Sequence, residues 1–164
     1  LINLGHQRIA FIECVDEVTD SFKRKEGYKE AVRECNLPIE DDLIIGGAFE
    51  EEYTYNAIKT FVRIHSSKLP DAFLAGNDLS AIGCIKALLS DGYLIPKDIS
   101  VMGFDDIDIA EYFNPSLTTI RNPIARQGKL AVDTLIDMIE EKKEGRIIKL
   151  EGSLIVRNSC TRKK

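Results

Sequence analysis

Four short apolar runs, each followed by a stretch of helical spacing, constrain this 164-residue chain more than any other feature. The runs are RIAFIEC (8–14), DLIIGGAF (42–49), DAFLAG (71–76) and ISVMGF (99–104). They carry few polar residues, which is the pattern of strands covered on both faces. Between them, TDSFKRKEGYKEAVREC (19–35) repeats Phe22, Tyr28, Ala31 and Val32 at helical spacing, with Thr19 or Asp20 placed to cap it. EEEYTYNAIKTFVRIHS (50–66) opens on acids that suit the positive end of a helix dipole. NDLSAIGCIKALLSDGY (77–93) has Asn77 or Asp78 as its cap, Leu79, Ile82, Ile85, Leu88 and Leu89 on one face, and Gly92 as its stop. Strand and helix in such alternation, with short connections, call for an α/β fold: a doubly wound parallel sheet with helices on both faces.

Beyond residue 114 the rhythm changes. SLTTIRNP (116–123) reads as a short strand or extended segment, and IARQGKLAVDTLIDMIEEKKEG (124–145) as a long amphipathic helix. Its apolar positions Ile124, Leu130, Ala131, Leu135, Ile136 and Ile139 need a partner surface, so the helix is expected to fold back on the rest of the chain or to pair with a second copy. The Lys and Glu cluster at 140–144 reads as a solvated helix end. RIIKLEGSLIVRNSC (146–160) closes the chain as one or two strands around Gly152. At the other end, LINLG reads as the tail of a helix with Gly5 as its C-cap, so the chain is expected to begin inside a domain.

The composition, 44% apolar and 30% charged, is that of a soluble domain with a real core. A net charge of -5 argues against a surface that neutralises nucleic-acid phosphates. Cys14, Cys35, Cys84 and Cys160 are scattered, without a metal-ligand spacing, and read as buried free thiols in a reducing cytoplasm. No basic leader opens the chain and no run approaches the length of a membrane span, so the expectation is a cytoplasmic protein with no membrane contact.

In a parallel sheet, ligands bind outside the carboxyl ends of the strands. Those positions hold Glu13 to Asp16, then Phe49, then Gly76, Asn77 and Asp78, and finally Asp105 and Asp106. Carboxylates, an amide and an aromatic ring suit a polyhydroxylated or amide-bearing small molecule. Enzymatic chemistry fits less well. His6 and His65 fall away from this edge, so no nucleophile and base pair forms there, and GGAFEEE lacks the spacing of a phosphate loop. FDD could supply metal ligands for phosphoryl transfer, but no lysine or threonine follows at a comparable strand end to complete such a site. Helix capping accounts equally for Asp78, and turn bracing for Asp106. The expectation is no catalytic residue, no metal and no cofactor.

LGHQRIAFI, RKEGYKEAV, PDAFLAGNDLSAIGCIKAL, IPKDISVMGFDD and NPSLTTIRNPI together resemble, in order and spacing, the effector-binding region of the LacI/GalR family of bacterial transcriptional regulators. That resemblance implies a periplasmic-binding-protein-like fold of two subdomains with a ligand cleft between them. It assigns about 6–120 and 146–160 to the C-terminal subdomain and about 121–145 to a crossover helix that belongs with the N-terminal subdomain; the DNA-binding headpiece would lie outside the sequence. By motif, Arg24 would contact effector through its charged fork, Asn77 and Asp105 would hydrogen-bond it, Phe49 would stack on it, and Asp20 is a further candidate. At AGND the family usually has alanine where this chain has Gly76. The family also dimerises through this domain, which offers Leu79, Ile82 and the segment Ile107 to Tyr112, Ile109 included, as an interface, with core packing the competing role for Ile82 and Ile85. The implied partners are a sugar-like effector, a second copy of the chain, and operator DNA only through the headpiece. The alternative is a periplasmic-type sugar-binding transport receptor of the same architecture.

Overall fold

A computed structural model describes residues 1–15, 19–140 and 144–163. Four parallel strands, β1 (Ile9–Glu13), β2 (Ile44–Gly46), β3 (Ala72–Ala75) and β4 (Ser100–Met102), form one sheet in the order β2-β1-β3-β4. The connecting helices are α1 (Thr19–Glu34), α2 (Glu51–Ile64) and α3 (Asp78–Ser90). The strands are shorter than the apolar runs, because DLIIGGAF and ISVMGF carry on into the loops that build the carboxyl edge.

The two-residue period of β1 divides the core. Ala10 and Ile12 point to one face, with Phe73, Ala75 and Val101, and are covered by Ile58, Phe61 and Val62 of α2 and Ala81, Ile82, Ile85 and Leu88 of α3. Ile9 and Phe11 point to the other face and are covered by Tyr28 and Val32 of α1. There the Phe11 and Tyr28 rings stack at 5.1 Å, and the Tyr28 hydroxyl donates to the Ile9 carbonyl at 2.8 Å. The right-handed crossover preference explains the division, because β1 to β2 and β2 to β3 run in opposite directions across the sheet.

Ile82 is only 1% exposed and lies within this core, so it has no surface to offer a second chain. The interface expectation is corrected for this residue. Leu79, Ile109 and Tyr112 are exposed; Ile109 and Tyr112 lie on the one-turn helix α4 (Ile109–Tyr112). Leu89, expected on the buried face of α3, is also exposed, because it falls beside the face that Ala81, Ile82, Ile85 and Leu88 turn to the core. The cysteine reading is likewise corrected at Cys35, which is exposed; Cys14 and Cys84 are buried, Cys160 is half-buried, and all four are free.

The outer edge of β4 is closed by two segments of the chain. Gly103 and Asp105 donate backbone hydrogen bonds to the carbonyls of Thr118 and Ile120, so the segment that includes β5 (Thr119–Arg121) runs parallel beside β4. β5 also pairs antiparallel with β6 (Ser153–Ile155), the single strand formed around Gly152. The tail then returns along β4, where the Val101 amide donates to Ser159 and the Ser159 hydroxyl to Val101, and reaches Leu4 through Lys163. A covered edge removes a template for unwanted strand pairing. At the start, a 3₁₀ turn (Ile2–Leu4) ends at Gly5 with φ 92°, the expected left-handed cap.

The long helix α5 (Ile124–Glu140) buries none of its residues. Ile124, Val132, Leu135, Ile136, Met138 and Ile139 are exposed, and Arg146, Ile148 and Leu150 of the following extended segment line a cavity with its apolar side. Folding back onto the sheet, one of the two expected outcomes, is not what the chain does. The Lys and Glu cluster at 140–144 falls largely outside the described residues.

Candidate functional site

The carboxyl ends of β3 and β4, together with the first turns of α1, bring Asp20, Arg24 and Asp105 of the expected residues together. Arg24 is the centre. Its guanidinium lies 4.1 Å above the Phe104 ring, donates to the Gly76 carbonyl, and stands 3.4 Å from Asp105 Oδ1. The flat, delocalised cation is suited to this use, since one face can stack on a ring while its edge donates to acceptors. Asp20, one turn earlier on α1, lines with Lys23, Arg24, Phe104, Ile120 and Asn122 an open cavity of about 450 Å³.

Asn77 serves the fold before it serves any ligand. Its Oδ1 accepts the Ser80 amide at 3.0 Å as the N-cap of α3, and its Nδ2 donates to the Phe49 carbonyl at 3.2 Å. One amide N–H is left for a ligand. Phe49 reaches the site through that backbone bond; its φ of 62° follows Ala48 at 53°, a left-handed pair that turns the chain from β2 into α2. Its ring is half-buried and does not line the cavity beside Arg24. Asp16 lies outside the described residues, and Glu13 is held by Lys25 at 2.8 Å.

Asp105 and Asp106 diverge. Asp105 faces Arg24, and burial raises its pKa above the ordinary carboxylate value, opposed by the Arg24 charge and reinforced by Asp78. Asp106 turns away to Arg121 Nε at 2.6 Å and Arg157 Nη2 at 2.7 Å. Burial would raise its pKa, but the bonds from the two arginines outweigh this and hold it below the ordinary value. Two acids that point apart and are each matched by arginine are a poor pair for a divalent ion. Among the described residues no group of three His, Cys, Asp or Glu side chains is placed to hold a metal.

Asp78 is not the cap of α3. Its buried carboxylate accepts the Thr119 hydroxyl at 2.6 Å and the Ile107 amide at 2.9 Å, so it ties α3 to β5 and to the loop after β4. Burial raises its pKa in spite of these donors. The backbone at Gly103 passes so close that a Cβ there would sit 2.2 Å from Asp78 Oδ1.

A profile of the periplasmic binding protein-like domain matches residues 1–160, nearly the whole chain. The chain belongs to the periplasmic binding protein-like domain family. A curated relative, the HTH-type transcriptional repressor PurR of Histophilus somni (strain 129Pt), is 38% identical over 160 residues, which are 97% of this chain and 47% of the relative. The chain thus spans about half the length of the curated relatives it matches. A LacI-family sugar-binding transcriptional regulator from Escherichia coli, solved with phosphate, superposes with a TM-score of 0.91 at 31% identity, covering 99% of this chain and 58% of that one. A LacI-family regulator from Enterococcus faecium with bound ribose gives 0.87 at 30% identity, covering all of this chain and 60% of that one. The resemblance to LacI/GalR effector-binding domains therefore holds along nearly the full sequence.

Within this family fold, the glycine in AGND has a local cause. A Cβ at Gly76 would lie 2.5 Å from Cys14 Sγ and 3.2 Å from the Ile12 carbonyl oxygen, so the Cys14 thiol occupies the space an alanine methyl would need. Burial pushes that thiol up to about 12, which keeps it protonated and unreactive. Sequence reasoning passed over Phe104, which reads as the last residue of an apolar strand. The available signal was its position, an aromatic immediately before the acid at a sheet's carboxyl edge.

Proposed function

We propose that this chain is the effector-sensing part of a bacterial transcriptional regulator and supplies one wall of a small-molecule site. The observation that carries this is the Arg24 guanidinium, stacked on Phe104, set against Asp105 and opening onto a cavity beside Asp20 and Asn122. A fork of N–H donors beside a carboxylate acceptor recognises a polar, hydroxyl-bearing ligand such as a sugar or a nucleoside. The repressors and regulators among its relatives, one of them solved with ribose, support a regulatory role over that of a transport receptor. The proposed protein is cytoplasmic, homodimeric and not an enzyme, and meets DNA only through a separate headpiece.

Effector bound across a two-subdomain cleft would favour the closed arrangement by its differential affinity, and this shift is what would reach the headpiece. The non-enzymatic reading has its support in the relatives, which are transcriptional repressors and regulators. Isothermal titration of the intact regulator against monosaccharides, disaccharides and nucleosides tests the proposal. Each of Arg24→Ala and Asp105→Ala should weaken binding of the recognised compound by about 10- to 100-fold, as expected for loss of a charged hydrogen bond. Undiminished affinity in both variants would remove the site.

A further inference from the structure

We infer that Asp106 is a positioning residue for the effector site: by holding Arg121 and Arg157 it keeps Asp105 aimed at Arg24, and it ties that aim to the crossing strands β5 and β6. The inference rests on the effector reading only for what Asp105 and Arg24 would bind.

Asp105 and Asp106 have φ of 117° and 58°. Asparagine and aspartate tolerate the left-handed region, but 117° lies well outside its centre, and such a backbone persists only where its surroundings over-determine it. Here the loop is pinned on both sides. Before Asp106, the Gly103 and Asp105 amides donate to Thr118 and Ile120, each at 2.9 Å. After it, the Ile107 amide donates to Asp78. The Asp106 side chain is the link between these anchors. It is only 5% exposed and bridges Arg121, the last residue of β5, to Arg157, two residues beyond β6.

Arg157 is itself anchored, with Nη1 donating to the Leu117 carbonyl at 2.8 Å and its amide to Thr118 Oγ1 at 2.9 Å. Asp106 therefore grips the two segments that cross between the sheet and α5 at the point where both pass the ligand-facing acid. A shift of β5 relative to β4 would pull on Asp106 and rotate Asp105 away from Arg24. The same lever works in reverse, so a ligand that holds Asp105 would resist movement of the crossing strands.

Hydrogen exchange on the 164-residue chain decides the matter without any ligand. Asp106→Asn keeps a residue tolerant of positive φ and removes the charge. Arg121→Ala removes one anchor at a largely exposed position and serves as the milder variant should Asp106→Asn fail to fold. In both, the Asp105 amide should exchange at least about tenfold faster relative to the Ala10 and Phe73 amides of the central strands, as for a locally released segment. The Arg24 Nε–Hε resonance should move toward the position of a free arginine. Unchanged Asp105 exchange and an unchanged Arg24 signal in a folded variant would overturn the inference. Titration with the monosaccharides, disaccharides and nucleosides named above separates the two readings: a wild-type regulator that binds none of them counts against the effector reading, while the exchange result still judges the clamp.

Discussion

At the scale of single residues, the sharpest distinction in the molecule is between two neighbouring acids. At FDD the family resemblance names Asp105 as the proposed ligand-facing acid and turn chemistry names Asp106 as a brace, and the two side chains do turn to different partners. Which arginines answer them was not legible, since Arg24, Arg121 and Arg157 are distant in sequence. Gly76 teaches the same lesson, for its departure from the common alanine is visible in AGND but its cause, the Cys14 thiol, lies on another strand. Gly76→Ala should cost about 1–3 kcal/mol through overpacking, and Cys14→Ala combined with it should recover most of that loss, because the methyl then enters the space the sulfur leaves. Urea unfolding of the two single variants and the double variant measures the coupling; strict additivity would refute it.

Elements differ in how far periodicity predicts their surroundings. The helices α1, α2 and α3 were readable because apolar residues on each meet a sheet whose strands were equally readable, although on α1 only Tyr28 and Val32 do so and the expected Phe22 and Ala31 are exposed. α5 has the clearer amphipathic pattern yet covers nothing in the sheet, since periodicity states that a face needs a partner and not where the partner is. Ile82→Ala should therefore cost about 2–5 kcal/mol, whereas Ile136→Lys on α5 should change stability by no more than about 0.5 kcal/mol. Far-ultraviolet dichroism in urea compares them, and a large loss at Ile136 would show that α5 packs after all. The β5 and β6 crossing carries a pH signature. The folded pKa of Asp106 is lowered, so its contribution is present above the ordinary carboxylate pKa and is lost as pH falls through the folded value. Wild-type stability should fall on that acid limb, and Asp106→Asn should be weaker at neutral pH but flatter below it, as read from thermal unfolding across the acid range.

For the molecule as a whole, exposed apolar residues are spread over the surface, and two groups of them bear on association. One is Leu79 with Ile109 and Tyr112, where Tyr112 is 81% exposed; the other is the unburied face of α5. Patches of this kind mark association surfaces, so the chain should self-associate in a concentration-dependent way. Light scattering over a dilution series measures this, and Ile109→Glu with Tyr112→Glu should lower the apparent mass if the first patch is responsible. A strict monomer at all concentrations would contradict the expectation. The sequence by itself determined the sheet, its flanking helices and the carboxyl edge that carries Asn77 and Asp105, because local periodicity and strand-end position are encoded by neighbours in the chain; Arg24 was named only through the family resemblance. Only the tertiary structure decided that Ile82 is core, that Asn77 rather than Asp78 caps α3, that Phe104 carries Arg24, and that Asp106 grips the crossing strands. Each of these depends on a contact between segments far apart in sequence, where burial and available partners, not spacing, select the role.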